Sequence, residues 1–329
     1  MSRKSPGASR RFRPALVLNT ALATALLAGV AAGDSAREAV ESTVGAADRL
    51  DGEPPGKDDL EHARIPPSRD TTGDTTGDDI RSAVLPDLRL AREIAPMLAE
   101  GPAAGTRLSV AVRALGSGRS AVFGGDSFDT ASIAKVDILA ALLLLAQDED
   151  RELTVTERTL AEVMIRESDN AAADELWASI GGADGLDAAN RRLGLSETTG
   201  GPGGHWGLTQ TTSRDQLALL AAVYGADSPL APASRLYVQG LMETVVDGQR
   251  WGVSAAADGS EFQLKNGWLP RTRTGLWDIN SIGRVTAGGE RYLIAVVSDG
   301  HASREAGIAA VEVAAEAAVR ALETGRTGV

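Results

Sequence analysis

The sequence predicts a mixed α/β chain of the α+β type. A mostly antiparallel five-stranded sheet is flanked by N- and C-terminal helices, and an all-helical lobe accompanies it. Three observations point there. Strand-like segments lie at both ends of the folded part, helix-like segments fill its middle, and a tight turn joins the first two strands. That early hairpin leaves edges to satisfy, and the three late strands are the partners available.

In order, LRLAREIAPMLAE has the apolar spacing of an amphipathic helix. RLSVAVRAL and RSAVFG read as strands around the Gly-Ser-Gly turn at 116–118. Helical segments follow: TASIAKVDILAALLLLAQ, VTERTLAEVMIRES, DNAAADELWASIG and DGLDAANRRLG. After the glycine-rich GGPGG come SRDQLALLAAVYG and SRLYVQGLMETV, again helical. EFQLKNGW, LWDINSIGRVT and RYLIAVVSD return to strands, and REAGIAAVEVAAEAAVRAL closes the chain as a helix. The LLLL run is too short to span a bilayer and suits the buried axis of the lobe. A cleft between lobe and sheet is the expected place for a site.

The first 32 residues have the pattern of an export signal: a basic start, an apolar run and small residues at Val30-Ala31-Ala32. An uncleaved membrane anchor is the alternative, and SRRF leaves the twin-arginine and general export routes both open. Residues 33–79 form an acidic, Pro-, Gly- and Thr-rich stretch with too little apolar content to offset its ordering entropy, hence a disordered linker. The folded domain is expected over 80–329, working outside the cytoplasm. A net charge of −12 argues against a nucleic-acid partner. With no cysteine there is no disulfide, thiolate metal site, cysteine nucleophile or lipidated cysteine, and His62, His205 and His301 are too scattered for a metal cluster.

Lysine is the most informative residue. It occurs four times, at Lys4, Lys57, Lys135 and Lys265, against 29 arginines. The chain uses arginine wherever a bare positive charge suffices, so the two lysines of the domain call for a property arginine lacks. A desolvated amine can lose its proton; a guanidinium does not. Lys135 follows Ser132 by three residues, which on a helix puts amine and hydroxyl on one face. A neutral amine there can take the serine proton, and the Ser132 N–H at the helix start can serve an oxyanion. A capping serine with a lysine snorkelling to solvent fits the same spacing.

Ser-x-x-Lys is followed in order by Ser168-Asp169-Asn170 and Lys265-Asn266-Gly267. This succession resembles the penicillin-recognising serine hydrolases, the class A β-lactamase family in particular. The likeness runs from about residue 80 to 322, and SDNAAADELWASIGGADGLDAANRRLGL is similar to that family's helix pair after its second motif. It implies a β-lactamase/transpeptidase-like fold and an acyl-enzyme on Ser132, with Lys135 as base. Ser168 would relay a proton to the leaving nitrogen, and Lys265 would lend charge near the substrate carboxylate. Asn170, Asn266 and Gly267 would bind substrate, and the Trp268 N–H would complete the oxyanion hole. It implies no cofactor and no metal. The partner is a small-molecule β-lactam or a cell-wall peptide, with the chain acting as a monomer.

Two departures stand out. Asn266 occupies a position where the family has a hydroxyl. The family also carries a water-activating glutamate between its second and third motifs, where this chain has the shorter, glycine-rich LSETTGGPGGHWGLTQTTSRDQ. Glu197, His205 and Lys135 are the candidates left for activating water, and Glu167 reads as a surface charge. Slow deacylation is expected. A D,D-peptidase or penicillin-binding protein, and a non-hydrolytic cell-wall-binding module, remain as alternatives.

Overall fold

The computed structural model describes residues 77–101, 103–259 and 261–323. The expected export signal, and all of the acidic linker but its last three residues, lie outside the described residues. Helix α1 (Gly77–Ala99) starts three residues before the expected domain boundary.

Five strands form one sheet: β1 (Arg107–Ala114), β2 (Ser120–Phe123), β5 (Phe262–Pro270), β6 (Trp277–Ala287) and β7 (Glu290–Asp299). Their order is β2-β1-β7-β6-β5, every pair antiparallel. The early hairpin does pair with the late strands, through Val110 opposite Val296 on β7. As the central strand, β7 is buried on both faces. Leu293, Ala295 and Val297 enter one core, and Tyr292, Ile294 and Val296 enter the other. This explains why YLIAVV reads as a continuous apolar run rather than an alternating one.

The second core lies between the sheet and the terminal helices α1 and α8 (Arg304–Glu323). Alanines 310, 314, 317, 318 and 321 of α8 are buried, and their small side chains let the helix lie close to the strands. The first core belongs to the lobe. Helix α2 (Ala134–Asp148) is buried on nearly every side, as a helix apolar all round must be. Around it pack α3 (Val155–Arg166), α4 (Asn170–Ser179), α5 (Gly182–Leu193) and α7 (Pro232–Glu243). Helix α6 (Ser213–Tyr224) rests on the sheet. A capping box opens α3: the Glu157 N–H donates to Thr154 Oγ1 at 3.1 Å, and the Thr154 N–H donates to Glu157 Oε2 at 2.6 Å.

A second sheet of two residues per strand, β3 (Phe128–Asp129) with β4 (Gln210–Thr211), was not legible in the sequence. Two residues carry no periodicity. It ties the segment before Ser132 to the end of the glycine-rich loop.

Candidate active site

Ser132 sits in a one-turn 3₁₀ segment, Ala131–Ile133, that runs into α2. It is half-buried. The residue before it, Ala131, has φ +45, a left-handed conformation that a side chain disfavours and that persists only when the surroundings impose it. The edge strand β5 presses against this turn at Gly267. A methyl group there would lie 2.8 Å from both Ser132 N and Thr130 O. Gly267 is therefore required for backbone approach to the serine turn, whereas the sequence suggested only an approach of substrate.

Lys135 and Lys265 are both almost wholly inaccessible, at 0% and 1% exposure. The snorkelling alternative for Lys135 is thereby excluded. Lys135 Nζ donates to Ser168 O at 2.6 Å and Asn170 Oδ1 at 2.8 Å, and lies 3.2 Å from Ser168 Oγ. Lys265 Nζ donates to the same Ser168 Oγ at 2.9 Å and to Asn266 O at 2.9 Å. Ser168 thus joins two buried amines through one hydroxyl, from a residue at φ +63 between α3 and α4. Among the described residues Lys135 makes no hydrogen bond to Ser132. Three acceptors on the opposite wall draw the amine, a competition that i,i+3 spacing does not reveal.

Burial holds Lys135 well below the ordinary lysine value, and the neighbouring Lys265 charge adds to the effect. Burial brings Lys265 down to about 7. The face of the Trp206 indole, 4.6 Å from Lys135 Nζ, favours the ammonium form, but desolvation is the larger effect.

The remaining expected residues divide. Asn170, the first residue of α4, reaches Lys135. Asn266 does not serve the cleft as expected. It is fully buried, donates from Nδ2 to Gln249 O at 2.7 Å and Trp251 O at 3.0 Å, and accepts from Ser281 Oγ at 2.6 Å. Strand alternation sends it to the face opposite Lys265, so its amide is a structural tie. Trp268 shares that face. Its half-buried ring packs 4.6 Å from the Arg304 guanidinium and 6.1 Å from Trp251.

The glycine-rich loop puts an indole, not a carboxylate, beside Lys135. Trp206 is fixed by its Nε1 donating to Asp174 Oδ1 at 2.7 Å. Glu197 is exposed, with its backbone N–H held by Asp215 Oδ2 at 2.7 Å, and His205 is half-buried one residue before the indole. Glu167 is exposed, as expected of a surface charge. Trp206 was missed as a site residue, although its place in the loop beside GGPGGH was the available signal. Asn280 of β6 was missed too. A cavity of about 620 Å³ is lined by Asp129, Gln210, Arg271 and Arg273 but by none of Ser132, Lys135, Ser168 and Lys265. Among the described residues no group of His, Asp and Glu could hold a metal ion.

Terminal helices on one face of a five-stranded antiparallel sheet, with a helical lobe on the other, define the serine β-lactamase-like class of folds. Solved structures share it. PBP-A superposes with a TM-score of 0.60 at 22% identity, over 71% of this chain and 96% of that one, and a variant of it was solved as an acyl-enzyme with penicillin G. A class A β-lactamase from Bacteroides cellulosilyticus gives 0.62 at 18% identity, over 73% and 99%. The family model described as the Beta-lactamase enzyme family matches residues 145–322, more than half of the sequence, and the chain belongs to that family. The match begins after Ser132 and Lys135. Proteins of Mycobacterium bovis and Mycobacterium tuberculosis named "Putative lipoprotein LppW" are 28% identical over 177 residues, 52% of this chain and 56% of theirs. The chain thus spans about half the length of the curated relatives it matches.

Proposed function

We propose that the chain is an exported serine hydrolase that forms an acyl-enzyme on Ser132 with β-lactams or related D-alanyl amides and releases it slowly. The observation that carries this reading is the pair of buried amines meeting on the Ser168 hydroxyl beside a strained serine turn. A neutral Lys135 has two N–H donors, matched by the two pure acceptors Ser168 O and Asn170 Oδ1. Its lone pair remains for a hydroxyl. The Ser168 Oγ contact is the longest of the three, and the one most easily surrendered to Ser132.

In the acylation step Ser132 Oγ attacks the amide carbonyl while its proton passes to Lys135. When the C–N bond breaks, that proton moves through the Ser168 hydroxyl to the leaving nitrogen, and Lys135 is neutral again. Lys265 supplies positive charge for a substrate carboxylate. Deacylation needs a base for water, and the loop offers Lys135 an indole in place of one. Action outside the cytoplasm accords with the lipoprotein description of the relatives.

Intact-protein mass spectrometry after mixing with penicillin G tests the reading. The expected outcome is a stable adduct of one penicillin mass that is absent in Ser132→Ala. The absence of both adduct and ring opening on the wild-type chain would refute it. The loop that gives Lys135 an indole rather than a water-activating carboxylate also fits a D,D-peptidase acting on cell-wall peptides. Release of D-alanine without turnover of a chromogenic cephalosporin selects that alternative.

A further inference from the structure

The turn that carries Ser132 is strained, and the structure shows what pins it. Asn280, the fourth residue of the interior strand β6, is fully buried. Its Nδ2 donates to two successive carbonyls, Asp129 O at 2.9 Å and Thr130 O at 3.0 Å, and its Oδ1 accepts from the Ser298 N–H of β7 at 3.0 Å. Both amide donors are spent on the two residues that precede Ala131 and Ser132.

A left-handed alanine is strained and must be held by its neighbours. The other holds come from peripheral pieces. The Thr130 N–H donates to Thr209 O at 2.9 Å, and Arg271 of the β5–β6 turn pairs with Asp129 and Asp278. Among the described residues, Asn280 is the side chain of an interior strand that hydrogen-bonds to the turn. It pairs across the ladder with Gly267, the residue that closes against Ser132 N.

We propose that Asn280 is a positioning residue for the nucleophile: by gripping the Asp129 and Thr130 carbonyls it fixes the left-handed Ala131 and sets Ser132 against β5. This rests on the reading of Ser132 as the acylated serine. Asn280 touches no reacting atom. A slack turn lowers the rate of the covalent step and leaves substrate binding and the Lys135 titration largely as they were.

The test is stopped-flow acylation by a fluorescent penicillin on the full chain, with saturating rate and apparent affinity separated, for Asn280→Ser and Asn280→Leu. Serine keeps one donor; leucine matches the shape and keeps none. The saturating rate is expected to fall about tenfold for serine and about a hundredfold for leucine, since a misplaced reacting group costs on that order. Apparent affinity and the pH midpoint of the rate should stay near wild type. Ala131→Gly relieves the strain that the grip opposes, because glycine adopts positive φ freely, so A131G/N280S should recover part of the rate lost in N280S. Should the leucine variant not fold, the serine pair carries the test. Wild-type speed in N280S, a fall in affinity alone, or no recovery in the double variant overturns the inference. No adduct on the wild-type chain overturns the acylation reading, and this inference with it.

Discussion

Lys135 and Lys265 are the two places in the domain where an arginine-rich chain keeps an amine, and both amines are buried against one hydroxyl. The scarcity of lysine made their importance legible before any geometry was known. Their mutual contact through Ser168 was not legible, because 130 residues separate them in the chain. A base must be neutral to accept a proton, and burial lowers the pH at which Lys135 becomes so. The acylation rate should therefore rise with pH to a plateau reached well below the ordinary lysine value. Lys135→Arg keeps the charge and removes the titration. Acylation is expected to fall about a thousandfold with no recovery at high pH, as measured by penicillin adduct formation across a pH series. A flat profile in the wild type would assign the base elsewhere.

Among the elements, β5 and the turn before α2 meet backbone against backbone. Gly267 meets the Ser132 and Thr130 backbones, neither of which can yield as a flexible side chain would. Gly267→Ala should cost about 1–3 kcal/mol of stability by overpacking. It should also lower the acylation rate far more than truncating a side chain elsewhere on β5. Thermal unfolding and adduct kinetics on the same sample check both parts. The sequence marked Gly267 through its motif and assigned it to substrate approach; the proximity of Ser132 depended on how strand and turn pack. Asn266 illustrates the same limit. Its motif position suggested the cleft, but a one-residue step along a strand reverses the face, and nearby backbone carbonyls captured the amide.

At the scale of the molecule, a buried polar chain links the lobe axis to both ends of the glycine-rich loop. Asp137 of α2 accepts from Gln216 Nε2 at 3.4 Å, and that amide also donates to Thr211 Oγ1 at 3.1 Å. Thr211 meets Thr198 at 2.9 Å, and Thr198 donates to Asp215 Oδ2 at 2.7 Å. Burial raises the Asp137 carboxyl to about 7. A carboxyl raised above its unfolded value favours the fold while protonated. Its contribution is complete below the ordinary carboxylate value of about 4 and is lost as pH climbs through about 7. Asp137→Asn cannot ionise. Between pH 5 and pH 8 the wild type should lose about 2–3 kcal/mol more stability than D137N, as measured by urea unfolding at both pH values. Equal losses would remove Asp137 from the account.

Local signals in the chain were enough to define the five strands of the main sheet, the longer helices, their order and the three motifs. Period-two and period-3.6 patterns, a glycine turn and rare lysines are all readable over a few residues. The early hairpin's partners also followed, because a sheet edge needs one. Contacts between distant segments were decided only by tertiary structure: Trp206 over Lys135, Asn280 on the serine turn, Asn266 turned away from the cleft, and the acid chain beneath the loop. Each depends on which surfaces packing brings within hydrogen-bond range, a condition of a few ångströms that residue order does not encode locally.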